Sequence, residues 1–126
     1  MSQETFDKGL EIRKSVLGAE YVEKSLAGAD EFTQDFQELL TTYCWGAVWG
    51  REGLSKRERS LLNLGMLASL GRLEELQLHV RGALNNGLTM EEIKEALLQV
   101  AIYAGVPASL SAFKAARVVL KEEGLI

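Results

Sequence analysis

Apolar residues recur at helical spacing along nearly the whole chain and glycines punctuate them, while the strict alternation of a half-buried strand is almost absent. The pattern predicts a first helix over roughly Gln3–Leu17 and a short second one around Glu20–Ala27. A third, roughly Asp30–Trp49, carries Phe32, Phe36, Tyr43, Trp45 and Trp49. In "GLSKRERSLLNLGMLASLG", Ser55 suits a helix N-cap and Glu58 its partner in a capping box. Leu61, Leu62, Gly65, Met66 and Ala68 continue into a helix expected to be largely buried, which Gly71 ends. The next helix, about Arg72–Asn85, closes at "NNG", where Gly87 fits the left-handed position past a helix end. Thr89 and Glu92 form a second capping box, starting a helix that turns Ile93, Leu97, Val100, Ala101 and Ala104 toward a core. Pro107, the only proline, fits the first turn of a last helix, about Pro107–Glu123. With no linker, low-complexity segment or repeat, the expectation is all-α: one compact domain over residues 1–126, with six to seven helices joined by short loops.

Composition narrows the function classes. Of the 126 residues, 47% are hydrophobic, enough for a real core. A chain this short has much surface for its volume, which favours burial through a homo-oligomer. The net charge of −4 and the lack of a Lys/Arg block argue against nucleic acid or an anionic membrane as partner. Cys44 is the only cysteine, so an intramolecular disulfide, a CxxC pair and a multi-cysteine zinc site are all excluded. No metal site is expected. The charged start "MSQETFDKGLEIRKSVLG" lacks the apolar core of a signal peptide, and no apolar run approaches the ~20 residues of a membrane span. A cytoplasmic protein is the expectation.

His79 is the only histidine. On its helix, Leu73, Leu76, Val80, Ala83 and Leu84 form one apolar stripe. His79 lies on the neighbouring row with Arg72, Glu75, Gly82 and Asn86, at separations of three, four and seven residues. That row borders the core, as a cleft wall does. Glu75, one turn earlier, is placed to hydrogen-bond the imidazole or raise its pKa. The plainer alternative is a surface Glu–His pair worth a few tenths of a kcal/mol. Gly82 costs about 1 kcal/mol against alanine inside a helix, which a close approach by ligand or by another helix would explain. In "YCWGAVWGREG", Tyr43, Trp45 and Arg51 form either core aromatics before a turn or an apolar wall with a guanidinium for a carboxylate. Lys56, Arg57 and Arg59 fit a solvated helix start, with Arg59 able to turn inward. Cys44 fits a small core residue better than a nucleophile.

Taken in order, "YCWGAVW", "HVRGALNNG" and "QVAIYAGVPA" resemble the carboxymuconolactone decarboxylase family, with similarity over nearly the full length. The resemblance implies an all-helical, alkylhydroperoxidase D-like fold and assembly as trimers or hexamers. It further implies a carboxy-lyase using neither metal nor organic cofactor. The reaction implied converts 4-carboxymuconolactone to 3-oxoadipate enol-lactone and CO2 in the beta-ketoadipate pathway of aromatic catabolism. Alternatives are decarboxylation or isomerisation of another carboxylated lactone, or a non-redox oligomeric binding or stress protein on the same fold. For a small anionic lactone, His79 is expected to serve the proton or the enolate, with Glu75 orienting it. Arg51 and Arg72 are expected to hold carboxylates, Tyr43 and Trp45 to wall the pocket, and Arg59 and Arg81 to be secondary anchors. The peroxidase branch of that fold carries a CxxC pair where this chain has Arg72 and Glu75, and a glutamate where it has Ser60. Both redox sulfurs are therefore missing, and a CxxC peroxidase is excluded.

Overall fold

In the computed structural model, which describes residues 2–126, those residues form seven α-helices and one π-helix, and no strand. Two compact units divide it, one ending at Ser55 and the other spanning Lys56–Ile126.

The N-terminal unit is built on helix α1 (Gln3–Leu17), whose first turn is capped by the Ser2 hydroxyl accepting from the Thr5 amide. Helix α2 (Ala19–Ala27) follows directly across Gly18. The third helix begins four residues later than the apolar pattern implies. The Asp30 carboxylate accepts from the backbone amides of Phe32 and Thr33, and this side-chain turn delays helix α3 to Gln34–Leu39. Beyond Leu39 the chain continues as a π-helix over Leu40–Val48, with the Trp49 amide bonded to the Cys44 carbonyl five residues back. The aromatic set therefore splits. Trp45 and Trp49 are buried and stacked 4.8 Å apart, while Phe32, Phe36 and Tyr43 face outward.

Helix α1 and the π segment touch backbone to backbone. A Cβ at Gly9 would lie 2.0 Å from the Thr41 carbonyl oxygen and 2.7 Å from the Gly46 nitrogen; one at Gly46 would lie 2.4 Å from the Thr5 carbonyl oxygen. Only glycine permits this approach.

The C-terminal unit comprises α4 (Lys56–Leu70), α5 (Leu73–Asn85), α6 (Met90–Tyr103) and α7 (Val106–Glu122). Its core joins Leu64 and Ala68 of α4, Leu76, Val80 and Ala83 of α5, Ile93 and Leu97 of α6, and Ala112, Ala116 and Val119 of α7. The expected Thr89–Glu92 capping box is present in both directions, Gly87 adopts φ +93°, and Pro107 sits in the first turn of α7. Two expectations are corrected. Leu61, Leu62 and Met66, read as part of a buried helix, are 41–52% exposed, because α4 turns Ser60, Leu64 and Ala68 inward instead. Their outer face borders a groove of about 900 Å³ between α4 and α6. Ala104, expected to face the core, is exposed where α6 ends.

Candidate active site

A row of polar groups of the C-terminal unit lies along the seam between α4 and α5. Ser60 and Asn63 are three residues apart on α4 and so share a face; His79 on α5 and Asn86 at its C-cap are seven apart. At one end of the seam, the Asn86 amide donates to the fully buried Ser60 hydroxyl at 2.8 Å, and at 3.4 Å to the Lys56 carbonyl. At the other, Asn63 Nδ2 lies 3.4 Å from His79 Nδ1. With the Asn63 amide donating to Nδ1, the neutral ring carries its proton on Nε2. Arg59, one turn before Asn63, is half-buried with its Nε shut away from solvent.

Burial pushes the His79 pKa below its ordinary value, and the Glu75 carboxylate pulls weakly the other way. The ring is neutral at pH 7. Because the folded pKa is depressed, the unfolded chain takes up this proton first on acidification. The resulting stability is complete above the ordinary histidine pKa of about 6.5 and is lost as pH falls below it. As the chain's single histidine, His79 gives one imidazole proton NMR titration. Its midpoint is expected below about 6.5, with the melting temperature dropping over the same acidic range. A midpoint at or above that value would mean that the ring is solvated or held by Glu75.

The other expected site residues are distributed as follows. Glu75 is half-exposed and ion-paired with Arg72 at 2.5 Å, which holds its carboxyl below the usual carboxylate range. Its influence on His79 is exerted as a field. Arg72, expected as the first helical residue, precedes α5 with φ −87° and ψ 75°, and this turn lets its guanidinium fold back onto Glu75. Arg81 follows His79 by two residues, so it leaves the helix on another side and pairs with Glu122 of α7 at 2.5 Å. Tyr43, Trp45 and Arg51 belong to the N-terminal unit. Tyr43 is exposed on the π segment, Trp45 is buried against Trp49, and Arg51 is exposed just past that segment.

Sequence reasoning missed Asn63 and Ser60 as partners of the His79 row. The signal was a polar pair at i, i+3 within the otherwise apolar "SLLNLGML". Among the described residues no group of three or more His, Cys, Asp or Glu is arranged to hold a metal ion.

His79 is thus a half-buried imidazole whose pKa is lowered by burial and whose Nδ1 lies beside the Asn63 amide. The model of the Carboxymuconolactone decarboxylase family matches residues 34–118, and the chain belongs to this family. It is 42% identical over 123 residues, 98% of its length and 92% of the relative's, to a 4-carboxymuconolactone decarboxylase of Acinetobacter baylyi. It is 50% identical over 107 residues, 85% of its length and 75% of the relative's, to a nitrosuccinic acid decarboxylase of Metarhizium robertsii. The protein is a decarboxylase, and no helix among the described residues is long and apolar enough to cross a membrane.

Proposed function

We propose that the protein decarboxylates 4-carboxymuconolactone to 3-oxoadipate enol-lactone without a cofactor, as a step of aromatic catabolism. The observation that carries this reading is His79 itself, half-buried, lowered in pKa by burial, with its Nδ1 3.4 Å from the Asn63 amide; that amide as donor would put the ring proton on Nε2. In the substrate, the departing carboxylate sits on a ring carbon beside a double bond conjugated with the lactone carbonyl. When the C–C bond breaks, CO2 leaves and the electron pair moves through that double bond onto the carbonyl oxygen. A proton delivered to the carbon next to the carbonyl then completes the enol-lactone. A neutral imidazole donor matches an enolate oxygen better in proton affinity than imidazolium does, and it adds no charge that must be desolvated.

The substrate is a dianion, and within the C-terminal unit Arg72 is the proposed carboxylate anchor, with Arg59 as the more buried second anchor. On Arg72 a substrate carboxylate replaces Glu75, releasing that carboxylate toward the His79 row. A second reading rests on the 50% identity to the nitrosuccinic acid decarboxylase. Nitrosuccinic acid is also a dicarboxylic acid, and losing CO2 beside a nitro group likewise moves an electron pair from carbon onto oxygen. One seam serves both reactions.

Supplying 4-carboxymuconolactone and nitrosuccinate separately, and following CO2 release, tests the proposal. Turnover of the lactone with the larger kcat/KM is expected. Turnover of nitrosuccinate alone would establish the second reading, and turnover of neither would remove both.

A further inference from the structure

The N-terminal unit buries a charge that the seam chemistry does not use. Arg13, on α1, is only 4% exposed, and no carboxylate among the described residues forms an ion pair with it. Its Nη1 donates to Gln37 Oε1 at 3.0 Å and to Thr41 Oγ1 at 3.1 Å. Its Nε is buried and has no acceptor. The groups that act electrostatically on the guanidinium are the Tyr21 phenol and the Cys44 thiol, and neither is a carboxylate. Burial pushes the Cys44 thiol up, keeping its proton on sulfur. Burial also pulls Arg13 below its ordinary pKa, but a guanidinium starts so high that it remains a cation.

A buried cation without a counter-ion is strongly unfavourable, and an arriving anion would relieve that cost. The direction of approach follows from the hydrogen bonds. Gln37 and Thr41 both engage Nη1, which fixes the guanidinium plane and leaves the edge made by Nε–H and Nη2–H without a protein acceptor. Those two N–H bonds run parallel and match the two oxygens of a carboxylate. Thr41 lies on the π segment, an irregularity that often marks functional positions in helices.

We propose that Arg13 is a carboxylate-binding residue, its Nε/Nη2 edge receiving one carboxylate of a small organic acid while Gln37 and Thr41 hold the guanidinium plane. A single guanidinium balances a single charge. A planar carboxylate, whose two oxygens share one charge, therefore suits this edge, whereas the tetrahedral oxygens of phosphate call for further donors that Arg13 does not have. The site stands independently of the reaction assigned to His79.

Arginine Nε–H signals of the ¹⁵N-labelled wild-type protein provide the test, titrated with succinate, phosphate or chloride at matched ionic strength. The Arg13 signal is identified by its absence in Arg13→Lys or, should that variant not fold, by through-bond assignment in the wild type. Succinate is expected to move it downfield and saturably, with chloride inert and phosphate much weaker. No saturable movement would overturn the proposal, as would an equal response to phosphate. A signal that moves on dilution but not with succinate would also overturn it, since a side-chain carboxylate of a second copy would then hold the edge. A protein that decarboxylates the lactone yet shows no response at Arg13 would keep the proposed function and lose this site.

Discussion

Replacing His79 with alanine is expected to lower kcat/KM by about 10²–10⁴-fold. That corresponds to about 2.7–5.5 kcal/mol of transition-state stabilisation. The size follows from where the ring sits. A donor on a half-buried wall meets the developing oxyanion with little competing water, so its loss costs more than that of an exposed donor. His79→Gln separates two roles, since a glutamine amide still donates a hydrogen bond but cannot carry a proton between atoms. Partial retention of kcat in His79→Gln identifies the imidazole as an oxyanion donor, and equal loss in both variants identifies it as a proton carrier. Asn63→Ala is expected to fall less than His79→Ala, because Asn63 lies beside the ring and is proposed to act only through it. Near-wild-type kcat/KM in a folded His79→Ala protein would remove His79 from the chemistry.

The largest expected effect on stability comes from one methyl group. In Gly9→Ala the new carbon meets a backbone oxygen at 2.0 Å and a backbone nitrogen at 2.7 Å, and neither can swing aside as a side chain can. Helix α1 and the π segment must separate. The cost is expected at about 3 kcal/mol or more, the upper end for overpacked sites. Followed by far-UV circular dichroism, this lowers the melting temperature by roughly 10–20 °C for a chain of this size. Both tryptophans of the chain lie in the N-terminal unit, so their fluorescence should report the same loss. Gly65→Ala makes the identical chemical change on α4, where a Cβ meets nothing within 4 Å. There the better helix propensity of alanine is expected to raise stability by up to about 1 kcal/mol. A Gly9→Ala protein as stable as wild type would show that the two backbones do not pack as closely as described.

The difference between these two glycines also marks where sequence reasoning stops. Local signals were readable: the Thr89–Glu92 box, Gly87 and Pro107 are set by neighbours within a few residues, and each is found where the pattern puts it. The π segment was not readable. Its wider turn is compatible with the backbone contact at Gly9 and Gly46 and with the hydrogen bond from Arg13 to Thr41, and residues far apart in sequence make both. The apolar pattern placed His79 correctly beside the buried stripe, where it is half-buried next to Leu76 and Val80. It paired the ring with Glu75 by spacing alone, because helical periodicity carries no information about the facing helix that brings Asn63. The Arg72–Glu75 pair was in view as a row, but the non-helical backbone at Arg72 that folds one onto the other was not.

Helix α4 is oily on two sides. Leu64 and Ala68 point in, while Leu61, Leu62, Met66 and Leu70 point out. For such a cylinder, oil alone hardly distinguishes the correct roll about its long axis from a wrong one. Polar side chains decide it: one roll alone sets Ser60 against Asn86, Asn63 against His79, and Arg57 against Glu92. The amide and imidazole proposed for the chemistry therefore also act as a key that admits one rotation of the helix. Any variant of Asn63 or His79 thus perturbs two things at once, the reactivity of the wall and the identity of the face that forms it.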